Sequence, residues 1–128
     1  MTKRLFILNL ILPIILVSCF DSFRWTYWTD GNYEVTDNAG ASYIKTLYHD
    51  KIGRVNYVTN ITSNSRFIIV KSKGSPKNNT TYYWIIDKEK DNPFLNSDEI
   101  VEGPFSLTQF NDRRKKLGII HLKLGEEL

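Results

Sequence analysis

The chain has 128 residues, 17 Lys and Arg against 14 Asp and Glu, a net charge of +3 and one cysteine. A lone cysteine excludes an internal disulfide framework and a cysteine-built metal site. The small net charge leaves no electrostatic case for nucleic acid, and 41% hydrophobic residues suffice for one apolar core.

In chain order, Lys3 and Arg4 open a positive segment, and Leu5 to Val17 is apolar except for Asn9 and Pro13. Leu16-Val17-Ser18 then precedes Cys19. A positive start, a short apolar run and a small residue before a cut form the layout of a secretory signal peptide. The run is shorter than the roughly 20 apolar residues that span a bilayer. Leu16-Val17-Ser18-Cys19 resembles the bacterial lipoprotein box. That resemblance implies that the Cys19 thiol receives a diacylglycerol and that cleavage leaves Cys19 as the first residue. The competing readings are an ordinary secreted protein cut after Ser18 and a buried N-terminal helix with an incidental cysteine.

The expected organisation is a signal peptide over residues 1–18, a lipidated Cys19 with a very short tether over 19–24, and one globular domain over 25–128. The expected location is the cell membrane or outer membrane, outside the cytoplasm. At least two acyl chains would hold it firmly. Without residues 1–18 the basic and acidic residues nearly balance, at fifteen against fourteen, and every Trp and Tyr is retained. With its thiol acylated, such a domain must hold together by burial.

Phe20 to Trp28 is dense in aromatics, with two readings. Trp25 and Tyr27 line one face of a first strand, or the cluster sits among lipid headgroups, where amphipathic rings are favoured. Asp30-Gly31 signals a turn. Asn32 to Thr36 reads as a strand with Tyr33 and Val35 on one face, and Asp37-Asn38-Ala39-Gly40 as a turn. Tyr43 to Tyr48 alternates and is closed by His49-Asp50-Lys51. Arg54 to Thr62 alternates again through Val55, Tyr57, Thr59 and Ile61, and Ser63-Asn64-Ser65 reads as a hairpin loop. Phe67-Ile68-Ile69-Val70 and Tyr82-Tyr83-Trp84-Ile85-Ile86 are apolar on both faces. They are expected as a central hairpin around a loop from Ser72 to Thr80. Regular strands without intervening helices argue antiparallel pairing.

Asp87 to Glu102 reads as polar and irregular, and Gly103-Pro104 as punctuation. A helix follows over Leu107 to Leu117. Ser106 and Gln109 form a capping box, and Phe105 and Phe110 a hydrophobic staple. Leu107, Phe110 and Leu117 are expected to dock on the sheet, near Trp84 and Ile86 or Phe67 and Ile69. Arg113, Arg114, Lys115 and Lys116 compensate the helix dipole on a solvated face, and Gly118 takes the C′ position. Ile119 to Leu124 is expected as a last edge strand.

Little in the sequence points to chemistry. His49 and His121 have no metal-ligand spacing. Asp87-Lys88-Glu89-Lys90-Asp91-Asn92 lacks the central Gly and terminal Glu of a calcium loop and reads as a solvated turn. No nucleophile or phosphate-loop motif is present. No catalytic residue, cofactor or metal is expected, and the chain is expected not to be an enzyme. Cys19 is the one modified position.

Phe67 to Val70, Tyr83-Trp84-Ile85-Ile86-Asp87-Lys88, and Gly103-Pro104-Phe105-Ser106 with Phe110 and the basic helix together resemble a family of short bacterial lipoproteins of unknown function, over about residues 65 to 124. The resemblance implies no activity and carries over no site residue. Trp84 followed by Gly103-Pro104-Phe105-Ser106 and a helix is also similar to the GYF adaptor domain, which binds proline-rich peptides. The spacing and the first aromatic-Gly elements depart from that pattern.

The expected fold is therefore α+β, an antiparallel meander of five or six strands with one C-terminal helix packed on it. The expected function is a membrane-anchored, non-catalytic binding or structural module of the cell envelope. It would be anchored through lipid on Cys19, with a protein partner possible and no nucleic acid. The alternative is a small inhibitor or immunity-type protein acting on an envelope enzyme or toxin, with Ser72 to Thr80 as its protruding loop.

Overall fold

A computed structural model of the chain describes residues 24–37, 44–74 and 78–128. The signal segment, Cys19 and most of the Asp37–Gly40 turn lie outside the described residues, as do residues 75–77 of the Ser72–Thr80 loop.

The described residues form eight strands in two four-stranded antiparallel sheets, where one sheet of five or six was expected. The first sheet is a meander of β1 (Thr26–Asp30), β2 (Tyr33–Asp37), β3 (Lys45–His49) and β4 (Ile52–Val55). The second is a meander of β5 (Val58–Ser63), β6 (Phe67–Lys73), β7 (Thr81–Asp87) and β8 (Val101–Phe105). A short helix, α1 (Ser97–Ile100), precedes β8, and α2 (Leu107–Lys116) follows it.

The extra sheet comes from one backbone break. The single strand expected over Arg54 to Thr62 ends at Val55 and resumes at Val58, because Tyr57 has φ +57. That left-handed conformation is costly for a bulky residue. Here it redirects the chain from one sheet into the other. It also shifts the inward phase, so that Val55, Val58 and Ile61 are buried in place of a strict alternation. The β3–β4 connection is a two-residue turn in which Asp50 and Lys51 both have positive φ. That geometry suits the right-handed twist of the strands it joins.

Two cores result. The first lies between the sheets and gathers Tyr33, Val35, Leu47 and Val55 from one sheet with Val58, Ile61, Ile68, Val70, Ile86 and Val101 from the other. The second lies on the opposite face of the second sheet, where Phe67, Ile69, Ile85, Phe110 and Ile119 are buried. β6 therefore feeds both cores, as its run of four apolar residues predicts, and it pairs with β7 at the centre of the sheet. The layers are sheet, sheet and helix.

The local stitches of α2 follow the sequence closely. Ser106 Oγ accepts from the Gln109 amide at 3.2 Å, and Gln109 Oε1 accepts from the Ser106 amide at 3.0 Å. Phe105 and Phe110 share the second core. Gly118, at φ +72, donates to the Lys115 carbonyl, and Ile119 donates to Arg114, which closes a Schellman motif.

The docking face is corrected in part. Phe110 is buried and Leu117 packs against the second core, but Leu107 is 55% exposed. The helix begins directly after β8, an edge strand, so its first turn overhangs the sheet margin. Of the two docking positions expected, it takes the one over Phe67 and Ile69, while Trp84 and Ile86 face the first core.

Two further expectations change. The polar stretch Asp87–Glu102 contains α1 and the start of β8, and Gly103-Pro104 lies within that strand, joined by a cis peptide. Ile119 to Leu124 forms no strand. Its Leu122 and Leu124 pack on the second core, and the tail continues to β5, where Leu128 donates to the Thr59 carbonyl and Asn60 donates to the Gly125 carbonyl. The tail thus covers an otherwise open sheet edge.

Candidate functional site

A groove of about 310 Å³ opens where the sheets meet, lined by Tyr57, Tyr82, Trp84 and Pro104, with Asn56 and Lys73 at its polar margin. Three elements supply its aromatic and proline walls. The left-handed turn between β4 and β5 supplies Tyr57, β7 supplies Tyr82 and Trp84, and β8 supplies Pro104. The Trp84 indole N–H donates to Ser72 Oγ at 2.7 Å, which fixes the ring and satisfies its one polar atom. Tyr82 and Trp84 are tilted at 56° with ring centroids 6.5 Å apart.

Gly103 is required beside them. Its φ is +133, and a Cβ there would lie 2.8 Å from the Trp84 ring and 2.8 Å from the Tyr83 carbonyl. The Gly103-Pro104-Phe105-Ser106 run therefore does more than punctuate. Gly103 lets the chain pass under Trp84, Pro104 walls the groove, Phe105 packs in the second core and Ser106 caps the helix.

A buried charge cluster lies behind the groove. Arg54 Nη2 donates to Asp91 Oδ1 at 2.9 Å, and both side chains are 0% exposed. Arg54 also donates to the carbonyls of Leu95, at 3.1 Å, and Asn92, at 3.0 Å. Tyr33 donates its hydroxyl to Asp91 Oδ2 at 2.7 Å. His49 stacks on Tyr33 with centroids 4.3 Å apart. Its Nδ1 is 3.0 Å from Asp91 Oδ2 but off the line of a hydrogen bond, and so remains unsatisfied.

Burial pushes the Asp91 carboxyl up, but hydrogen bonds from Arg54 and Tyr33, with the nearby His49, outweigh it and hold the group below the usual carboxylate range. Burial first, then the bond to Asp91, pushes the Tyr33 phenol far above its ordinary value. A carboxylate held ionised and a phenol held neutral suit a structural lock. Neither is poised to exchange a proton near neutrality.

The sequence reading of this region is corrected. Asp87–Asn92 is not simply a solvated turn, because Asp91 is its buried keystone. His49 is part of the same cluster, whereas His121 is exposed. Among the described residues no group of three His, Cys, Asp or Glu could hold a metal ion. The basic end of α2 is also not uniformly solvated. Arg113 pairs with Glu102 at 2.8 Å. Arg114 lies over the Phe110 ring at 4.6 Å and donates to the Leu122 carbonyl at 2.6 Å.

Neither the groove nor the cluster was legible in the sequence. Tyr57 read there as part of an alternating strand, Tyr82 and Trp84 as part of a strand apolar on both faces, Arg54 as the start of a strand and Asp91 as part of a solvated turn. Trp25 and Tyr27 fall at the start of β1, 61% and 37% exposed, while Trp28 of that strand packs on the first core. Cys19, the position singled out for lipidation, lies outside the described residues.

Fold and groove together define an α+β domain of two stacked antiparallel sheets with an aromatic-lined groove at their junction. The chain belongs to the family described as Protein of unknown function (DUF3997), which matches residues 30–127. No curated protein and no solved structure matches the chain. Among the described residues no helix is long and apolar enough to cross a membrane.

Proposed function

We propose that the chain is a lipid-anchored, non-catalytic binding module of the cell envelope, tethered through Cys19 and recognising its ligand in the aromatic groove. The observation that carries this reading is the groove itself, with three aromatic rings and a proline converging where two sheets meet. Concave, largely apolar sites with a few placed polar groups are the usual form of a binding pocket. Lys73 lies at the margin and no carboxylate lines the groove. The ligand is therefore flat and apolar and carries no net positive charge. The exposure of Trp25 and Tyr27, close in sequence to Cys19, supports contact with headgroups, where amphipathic rings are favoured.

Two variants test the halves of this reading. Cys19→Ser is expected to move the protein from the membrane pellet to the soluble or unprocessed pool. Continued pelleting after signal cleavage would show that lipid is not the anchor. Tyr82→Ala with Trp84→Ala is expected to abolish the cellular role as fully as gene deletion while the protein still accumulates. An unaltered phenotype removes the groove from the function.

A second reading, an inhibitor or immunity-type protein, is favoured by one observation. The Asn92–Leu95 loop carries a Phe94 that is 94% exposed, while the tip of the expected Ser72–Thr80 loop lies outside the described residues.

A further inference from the structure

Phe94 is 94% exposed. A fully exposed phenylalanine is unusual, and this one sits on a loop held from several sides. Asn92 Oδ1 accepts from the Phe94 amide at 2.9 Å, and the Asn92 carbonyl accepts from the Leu95 amide at 2.9 Å. Pro93 fixes its own φ between them. Arg54 reaches from β4 to the carbonyls of Asn92 and Leu95, and Asp91 anchors that guanidinium. The buried ion pair thus holds a loop whose tip makes no use of the core. Leu95 and Ile52, the latter on the strand that carries Arg54, add partly exposed apolar surface at 37% and 43%.

We infer that the Asn92–Leu95 loop is a preorganised protein-docking element, with Phe94 as the anchor for an apolar pocket rimmed by Lys or Arg on the partner. The inference rests on neither the lipid anchor nor the aromatic groove. Rigid aromatic anchors dominate interface energetics because little conformational freedom is lost on binding.

The charge around the loop selects the partner. Between residues 89 and 99 Lys90 stands against the exposed carboxylates of Glu89, Asp98 and Glu99, while beside Ile52 the exposed Lys51 is matched by the exposed Asp50. Glu89 is partly offset by Arg66 at 3.3 Å. The acidic balance repels an anionic bilayer and favours a basic rim.

The test uses the full-length chain in intact cells, with a photo-crosslinking benzoylphenylalanine at position 94 and, as control, at exposed position Ile120. A protein captured from position 94 and not from 120 is purified and titrated against the full-length chain. Its affinity is expected to fall about 30-fold with Phe94→Ala, the loss typical of an interface hot spot. It should fall further with Asp98→Lys and remain unchanged with Ile120→Ala, the exposed control position. The denaturant midpoint of Phe94→Ala should equal that of the parent protein. Crosslinks only to lipid, only to a second copy or to nothing overturn the inference, as does an affinity that Phe94→Ala leaves unchanged.

Discussion

The outer face of the second sheet and the junction between the two sheets are held by opposite means. On the outer face, Phe110 and Ile119 settle on Phe67, Ile69 and Ile85, and the ends of α2 are closed by local contacts, namely a capping box, a staple and a Schellman turn. At the junction, a buried guanidinium and carboxylate meet from positions 37 residues apart, joined by a phenol 58 residues from the carboxylate. Apolar burial tolerates some misfit, because its strength follows area. The charge cluster does not, because each unpaired member becomes a buried charge. The helix is thus stabilised by what it covers, whereas the Asn92–Leu95 loop is positioned by specific bonds.

The two largest expected effects are equal in size, one in each region, and the first is at the junction. Arg54→Ala leaves Asp91 buried and unpaired and frees two loop carbonyls, and is expected to cost about 3–5 kcal/mol. Its pH dependence identifies the cause. In the parent protein the Asp91 carboxyl is held below its unfolded value of about 3.9. The stability it confers is therefore complete above that value and lost as pH falls through the folded pKa. Without Arg54, burial dominates and the carboxyl moves up, so the deficit of the variant should shrink on acidification. Urea midpoints at several pH values would measure this, and a deficit independent of pH would mean that Asp91 is not the source.

Phe110→Ala tests the other region. It is also expected to cost about 3–5 kcal/mol, but without a pH signature, because no titrating group is stranded. The variant should loosen α2 and the C-terminal tail and leave the first core intact, which amide exchange resolves. Equal protection in variant and parent would mean that the helix is not docked through Phe110.

The smallest effects rank the local stitches. As a solvated residue Arg114 would be nearly neutral. Stacked on Phe110 and bonded to Leu122, with burial pulling its pKa down, it is expected to cost roughly 1.5–3 kcal/mol as Arg114→Ala. Ser106→Ala should cost about 1 kcal/mol, typical of a lost cap. Midpoints in the reverse order would place Arg114 back in solvent.

The sequence by itself determined what depends on neighbours along the chain. Four consecutive apolar residues in β6 announced a strand buried on both faces. The Ser106–Gln109 spacing announced the cap, and Gly118 the helix end. These signals are legible because their partners lie within a few residues and their periods are those of the backbone. The tertiary structure alone decided the division into two sheets, the pairing of Arg54 with Asp91, and the convergence of Tyr57, Tyr82, Trp84 and Pro104 into a groove. Tyr57 turns the chain through a conformation that its side chain does not announce. Gly103 is needed because its φ is +133 and because the Trp84 ring and the Tyr83 carbonyl of another strand lie against it. Arg54 and Asp91 look like surface charges until the fold removes water from both, and desolvation is a property of the packed molecule that no local pattern carries.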